Sequence, residues 1–158
     1  MEILKIRDMI NELSKDNIVE FLSILSNLTK VYNNEFELEI MLRNFKENII
    51  NLSSNINIFI IIENNKIIGT GTLIIEQKVI HNFGKVGHIE DVVIDNEYQG
   101  KGLGKKLINF LIENAKINNC YKVVLSCSDD KINFYKKCQP NNSKFKISNQ
   151  ISYYLKDI

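Results

Sequence analysis

The sequence predicts an α/β protein, with a mixed and mostly antiparallel central sheet flanked by helices. Three observations predict it. Helical stripes of apolar residues alternate with short β-branched runs in the order β-α-α-β-β-β-α-β-α-β. The runs Asn57–Ile62 and Ile67–Ile75 flank the turn residues Glu63–Lys66, E-N-N-K, where asparagine tolerates the positive φ of a hairpin. The chain has one proline, Pro140, and neither a repeat nor a long linker, so its 158 residues read as one domain spanning 1–158.

Taken in order, Ile3–Arg7 alternates and predicts a first strand. Between Asn11 and Lys30, Ile18, Phe21, Leu22, Leu25 and Leu28 form a helical stripe, and Leu38, Met41, Leu42 and Phe45 repeat it over Phe36–Ile49. Asn57–Ile62 is nearly all β-branched and reads as a buried strand, with Ile67–Ile75 returning beside it. Gly87–Asp95 is the next strand. From about Gly102 a helix presents Leu103, Leu107, Ile108, Leu111, Ile112 and Ala115 on one face. Lys122–Cys127 reads as a strand, Asp130–Lys137 as a short helix, and Ser143–Leu155 as one or two terminal strands.

Composition narrows the function. Apolar and charged fractions of 44% and 25% are those of an ordinary soluble protein. A formal net charge of +1 gives no global field for nucleic acid or anionic lipid, so any anion site must be local. Three cysteines, Cys120, Cys127 and Cys138, have no disulfide-framework spacing, and the opening M-E-I-L-K-I-R-D lacks the layout of a signal peptide. The longest apolar run, Ile58–Ile62, is far short of a membrane span. A reducing, cytoplasmic setting is expected. Neither histidine has metal-ligand spacing, so no metal is expected.

The stretch Tyr98–Lys106, Y-Q-G-K-G-L-G-K-K, lies between a strand and a helix. Converging backbone N–H groups and the helix N-terminus make an anion cradle suited to phosphate, with Lys101, Lys105 and Lys106 adding charge. A P-loop is excluded, because Gln99 stands where its first glycine is needed and Lys106 replaces the Ser/Thr. A dinucleotide fingerprint is excluded by Lys105 at the third glycine position. A turn that only reverses the chain needs one glycine. Three, each carrying an entropic cost of roughly 0.5–1 kcal/mol, predict a ligand.

Q-G-K-G-L-G matches the pattern Q/R-x-x-G-x-G/A, and so resembles the acetyl-CoA loop of the GNAT acetyltransferase superfamily. Five stretches narrow the resemblance: K-V-I-H-N at Lys78–Asn82, G-H-I-E-D-V-V-I at Gly87–Ile94, the glycine loop, N-C-Y-K-V-V-L at Asn119–Leu125 and F-Y-K-K-C at Phe134–Cys138. Together they resemble the glucosamine-6-phosphate N-acetyltransferase family. The first seventy or so residues carry little of the likeness. The resemblance implies a GNAT fold, acetyl-CoA as co-substrate and glucosamine 6-phosphate as acceptor. It also implies a homodimer with the strand 149–158 at its interface.

Acetyl transfer from a thioester to an amine needs an anchored cofactor, a neutral amine, a stabilised oxyanion and a protonated leaving thiolate. The resemblance assigns Gln99, Gly100, Lys101, Gly102, Leu103, Gly104 and Lys105 to the CoA diphosphate, and Val92, Val93 and Ile94 to the pantetheine arm. A backbone N–H, that of Val92, serves the oxyanion. Tyr135 is the general acid, and Asn133 and Tyr135 complete the cofactor contacts. Glu90 and Asp91, expected on opposite faces of a regular strand, lie beside the amino sugar, and at least one of them is functional. Lys78, His81, Tyr121 and Lys122, with Ser26, are the substrate candidates. His88 is read as a packing residue. Nothing adjacent in sequence activates Cys127, so direct attack is expected over an acyl-enzyme.

The chain departs from the family's pattern in four places. Ser126 stands where an acid is usual, so the amine loses its proton through water or to Glu90, Asp91 or Asp129. Lys131 replaces an asparagine, Gln139-Pro140 replaces a Gly-aromatic pair, and the terminal basic residue has only Lys156 as a counterpart. Two other readings stay open: a GNAT enzyme for another amine, such as a polyamine or protein N-terminus, and a non-catalytic acyl-CoA-binding sensor.

Overall fold

The computed structural model describes residues 1–138 and 145–148. One five-stranded sheet, ordered β1-β2-β3-β4-β5, organises it. Its strands are β1 (Glu2–Lys5), β2 (Ile56–Glu63), β3 (Lys66–Gln77), β4 (Lys85–Ile94) and β5 (Cys120–Leu125). The first four pair antiparallel and β4–β5 pairs parallel, so the mixed, mostly antiparallel expectation holds. The parallel pair is joined through the helix α5 (Leu103–Ile117), as a parallel connection requires.

Two apolar layers sandwich the sheet. On one face α1 (Ile6–Met9), α2 (Lys15–Leu25) and α3 (Glu35–Asn51) bury Ile6, Ile18, Phe21, Leu22 and Phe45 against Ile60, Ile67 and Val93. On the other, α5 sets Leu107, Ile108, Leu111 and Ala115, all fully buried, over Ile61, Leu73 and Ile89. Phe59 and Phe110 add an edge-to-face pair at 5.1 Å.

Several boundaries differ from expectation. The first strand ends at Lys5, and Ile6 turns its side chain into the core as the start of α1. The helix expected over Asn11–Lys30 is confined to Lys15–Leu25. Ser14 and Asn17 form a reciprocal capping box at its start, and Leu28 lies beyond its end, 48% exposed. β5 runs Cys120–Leu125, so Ser126 and Cys127 lie past the strand. The last helix divides into a 3₁₀ turn, Asp129–Lys131, and α6 (Ile132–Lys137). Before β4, the turn α4 (Ile80–Phe83) was not anticipated. His81, Asn82 and Phe83 all have positive φ, 54°, 55° and 58°, and Gln77 Nε2 holds the turn by donating to the Phe83 and Gly84 carbonyls. The terminal strands expected over Ser143–Leu155 lie largely outside the described residues, as do Gln139, Pro140, Lys156 and the interface segment 149–158. Phe145–Ser148 show no regular structure.

Candidate active site

β4 is broken at its functional stretch. Thr72 pairs with Glu90 and Thr70 with Val93, so Asp91 and Val92 together oppose the single residue Gly71. This is a β-bulge, and Asp91 carries it with φ 51°. Regular alternation therefore stops at the bulge, which begins directly after Glu90. A Cβ placed at Gly87 would stand 3.1 Å from Ala115 and 3.4 Å from Val123, which puts Gly87 and Val123 on the α5 face. Val86, His88 and Glu90 take the other face. Past the bulge, Val92 lies 3.5 Å from a Cβ at Gly71 on the α5 face, and Val93 joins the opposite core.

The bulge coincides with the end of strand pairing. β4 and β5 are in register from Lys85–Cys120 to Ile89–Leu125, and no further pairs form among the described residues. From Glu90 onward the β4 edge is open toward β5. The Asp95 N–H bonds Ile68 O at 2.9 Å, so antiparallel alternation turns the Ile94 backbone toward that open side. Its carbonyl there accepts from Gln99 Nε2 at 3.1 Å, and the same amide donates to Asn96 Oδ1 at 2.8 Å. Gln99 thereby ties the glycine loop to the end of β4.

The three glycines have separate reasons. Gly100 and Gly102 have φ of 76° and 79°, and Gly102 is the left-handed N-cap of α5. Gly104 has an ordinary backbone, but a Cβ on it would stand 3.0 Å from Phe134 Cζ of α6. The expectation that a plain turn would need only one glycine is thus corrected: two serve conformation and the third serves packing. The cradle rests instead on the α5 N-terminus, whose first N–H groups, at Leu103, Gly104 and Lys105, have no intrahelical acceptor. Lys101 Nζ sits 4.7 Å from the Tyr98 ring centroid. Lys105 and Lys106 are exposed on the first turn of α5.

Tyr135 of α6 packs on the α5-side core and meets Phe134 edge-to-face at 5.1 Å. Burial, followed by the Cys127 and Cys138 thiols and Glu90, pushes its phenol pKa up, which keeps it a proton donor. Glu90 is likewise pushed above the usual carboxylate range by burial and then by Asp91, with His88 offsetting part of the rise. Asn133 is exposed on the same helix.

The substrate candidates do not form one cluster. Lys122 faces the Glu90 side of the sheet. Its register partner is Val86, four residues and roughly 13 Å along β4 from Glu90. Tyr121 has no register partner on β4, His81 meets its ring at a tilt of 49° with centroids 4.5 Å apart, and Lys122 Nζ lies 5.8 Å from the same ring. Lys78 Nζ is paired with Glu76. Ser26 caps α2 and donates to Leu22 O at 3.0 Å. Its neighbour Asn27 accepts from Asn96 Nδ2 at 3.4 Å, which places Ser26 at the glycine-loop end. Reading His88 as a packing residue is corrected: its side chain is 31% exposed and Nε2 lies 2.8 Å from Glu76 Oε2. The i, i+2 spacing of His88 and Glu90 in H-I-E, which sets both on one face of a strand, was the signal available in sequence. Among the described residues no group of three His, Cys, Asp or Glu side chains could hold a metal ion, and no helix is long and apolar enough to cross a membrane.

A bulged strand that parts from its parallel neighbour beside a glycine-capped helix N-terminus is a setting for an extended acyl carrier with a phosphate at its end. Comparison with known proteins defines the class. The Acetyltransferase (GNAT) family model matches residues 21–139, and the chain belongs to that family. It is 37% identical over 150 residues to glucosamine 6-phosphate N-acetyltransferase of Arabidopsis thaliana, covering 93% of this chain and 96% of that one. It is 35% identical over 138 residues to glucosamine 6-phosphate N-acetyltransferase of Candida albicans, covering 87% and 77%. Within the GNAT family the chain thus stands among the glucosamine 6-phosphate N-acetyltransferases. The crystal structure of the Arabidopsis thaliana protein superposes with a TM-score of 0.69 at 36% identity over 96% of this chain and 98% of that one. An acetyltransferase from Trypanosoma brucei follows at 0.67 and 26% identity, over 95% and 99%.

Proposed function

We propose that the chain, acting as one catalytic domain over residues 1–158, transfers acetyl from acetyl-CoA to the amine of glucosamine 6-phosphate. The product is N-acetylglucosamine 6-phosphate, a precursor for UDP-N-acetylglucosamine. The observation that carries the reading is the open β4 edge beyond Ile89, with the glycine-capped N-terminus of α5 at one end. The relatives' common activity supports the acceptor.

The cradle from Gln99 to Lys105 takes the CoA diphosphate, with Asn133 beside it on α6. Val92, Val93 and Ile94 offer backbone to the pantetheine arm, and the Val92 N–H stabilises the oxyanion as it develops. The bulge makes this possible, because it frees backbone groups from the β3 ladder at the reacting carbonyl. Tyr135 protonates the departing thiolate, and its raised pKa keeps the proton in place until the sulfur needs it. Glu90 and Asp91 hold the amine. Lys122 supplies charge for the sugar phosphate, while Ser26, at the glycine-loop end, and Lys78, His81 and Tyr121, by the start of β4, line separate parts of the acceptor site. The neutral amine attacks directly, without a covalent enzyme intermediate. The protein works as a cytoplasmic homodimer through residues 149–158. Three free thiols fit a reducing setting, and the exposed apolar side chains Val79, Ile80 and Phe83 offer a second contact patch. Light scattering on the purified protein tests the dimer, and a monomer mass would remove it.

The deciding assay is thiol release from acetyl-CoA with glucosamine 6-phosphate and, in parallel, unphosphorylated glucosamine. Release that requires the phosphate and falls about 100-fold or more in Tyr135→Phe is expected. Tight acetyl-CoA binding without release on either sugar would instead favour the acyl-CoA sensor, and equal turnover of both sugars would favour another amine acceptor.

A further inference from the structure

Acetyl transfer to an ammonium releases one proton, and the groups above do not say where it goes. The face of the sheet that carries Glu90 does. His88 lies two residues before Glu90 on that face, about 7 Å along the strand. Its Nε2 is 2.8 Å from Glu76 Oε2, and the other oxygen of Glu76 is paired with Lys78 Nζ. A carboxylate on one ring nitrogen makes that nitrogen the N–H donor and leaves the other, Nδ1, to accept. The two hydrogen bonds from Lys78 and His88 hold Glu76 below the usual carboxylate range, so it stays ionised behind the ring. Part of the His88 side chain is open to solvent.

Resting on the acetyltransferase reading, we propose that the Glu76–His88 pair is the proton outlet of the reaction. It draws the amine proton through Glu90 and delivers it to water. The ammonium N–H breaks as a Glu90 carboxyl O–H forms. The imidazole Nδ1 then takes that proton, directly or across one water, and Glu90 returns to carboxylate. The imidazolium, held against Glu76, releases the proton to solvent. One proton leaves per acetyl group, which balances ammonium plus thioester going to amide plus thiol. His88 and Glu76 touch neither reacting carbon nor sulfur, and they act through Glu90 as positioning residues. The charged groups facing the ring are Glu76 from β3, Lys78 just past the end of that strand and Glu90 from β4. From β5 its register partner is the uncharged Val124, with Lys122 one step away on the same face.

The test is the pH profile of kcat/KM for glucosamine 6-phosphate in wild type, His88→Gln and Glu76→Gln, with acetyl-CoA affinity measured by calorimetry to certify the fold. Wild type is expected to level off near neutrality. His88→Gln keeps acetyl-CoA affinity but falls about 100-fold there. Its profile rises tenfold per pH unit, because only amine already deprotonated in solution reacts. Glu76→Gln keeps only part of the plateau, and the rest of its rate rises with pH as in His88→Gln, since the ring loses the carboxylate that fixes its tautomer. Added imidazole restores a His88→Gly variant in proportion to its concentration. Profiles of unchanged shape, merely scaled, or the absence of imidazole rescue would overturn the relay while leaving the acetyltransferase intact. A wild type inactive on this sugar would instead overturn the underlying reading.

Discussion

Glu90 and Glu76 lie on one face with His88 between them along the sheet, yet their environments differ. Lys78 and His88 hold Glu76 low, whereas burial and Asp91 hold Glu90 high. The sign for stability follows by linkage. A carboxyl raised in the folded state favours folding only while protonated. That advantage is lost as pH rises through the raised value, and at neutral pH the charged Glu90 opposes folding. Glu90→Gln should therefore melt higher than wild type at pH 7 and lose that margin by about pH 3, where the carboxyl is neutral in both states. Melting curves at the two pH values check this. The same variant should lose most of its acetyl transfer, a residue whose chemistry works against stability. Residue types at the site were readable from sequence: the acids in G-H-I-E-D and the tyrosine in F-Y-K-K-C stand out. Their environments were not, because burial and the partnership of His88 with Glu76 depend on β3 and β4 lying side by side.

At the scale of elements, the bulge in β4 forms because Asp91 takes a backbone conformation that most side chains resist. Aspartate, like asparagine, tolerates positive φ better than most non-glycine residues, and a β-branched side chain tolerates it worst. Asp91→Gly should keep the bulge with little change in stability. Asp91→Val should lose about 1–3 kcal/mol by urea unfolding, and acetyl-CoA affinity should fall with it as the bulge closes and the β4 edge realigns. Equal stability in the two variants would mean that φ at this position is not what shapes the edge. The bulge was illegible in sequence. G-H-I-E-D-V-V-I reads as an unbroken strand, and an aspartate in place of the glycine usual at such bulges hides the signal. The α5 stripe was legible for the opposite reason: Leu107, Ile108, Leu111 and Ala115 fall at helical spacing and are all fully buried. The left-handed turn at His81–Phe83 gave no sign either, since it contains no glycine until Gly84 and is held by the distant amide of Gln77.

For the whole molecule, a formal net charge of +1 means that an anionic substrate is not gathered by a long-range field. Discrimination for a phosphate must come from cations within about one Debye length of it, roughly 8–10 Å. Among the substrate candidates, Lys78 is already paired with Glu76, whereas Lys122 shares the Glu90 face and leans toward the Tyr121 ring without a carboxylate partner among the described residues. Sequence could not rank these lysines. Glu76 lies two residues before Lys78, but an acid at that spacing shows no pairing until the side chains are placed, and the face that Lys122 shares with Glu90 follows only from the pairing of β4 with β5. Lys122→Ala should therefore raise KM for glucosamine 6-phosphate about tenfold, the loss of one charge-assisted hydrogen bond of ~1.5 kcal/mol. It should leave kcat and the slow turnover of unphosphorylated glucosamine unchanged, while Lys78→Ala should have the smaller effect on KM. Steady-state kinetics on both sugars decide it. If KM rises equally for the two sugars, Lys122 shapes the site without reading the phosphate, and the cation that does so lies elsewhere in the assembly.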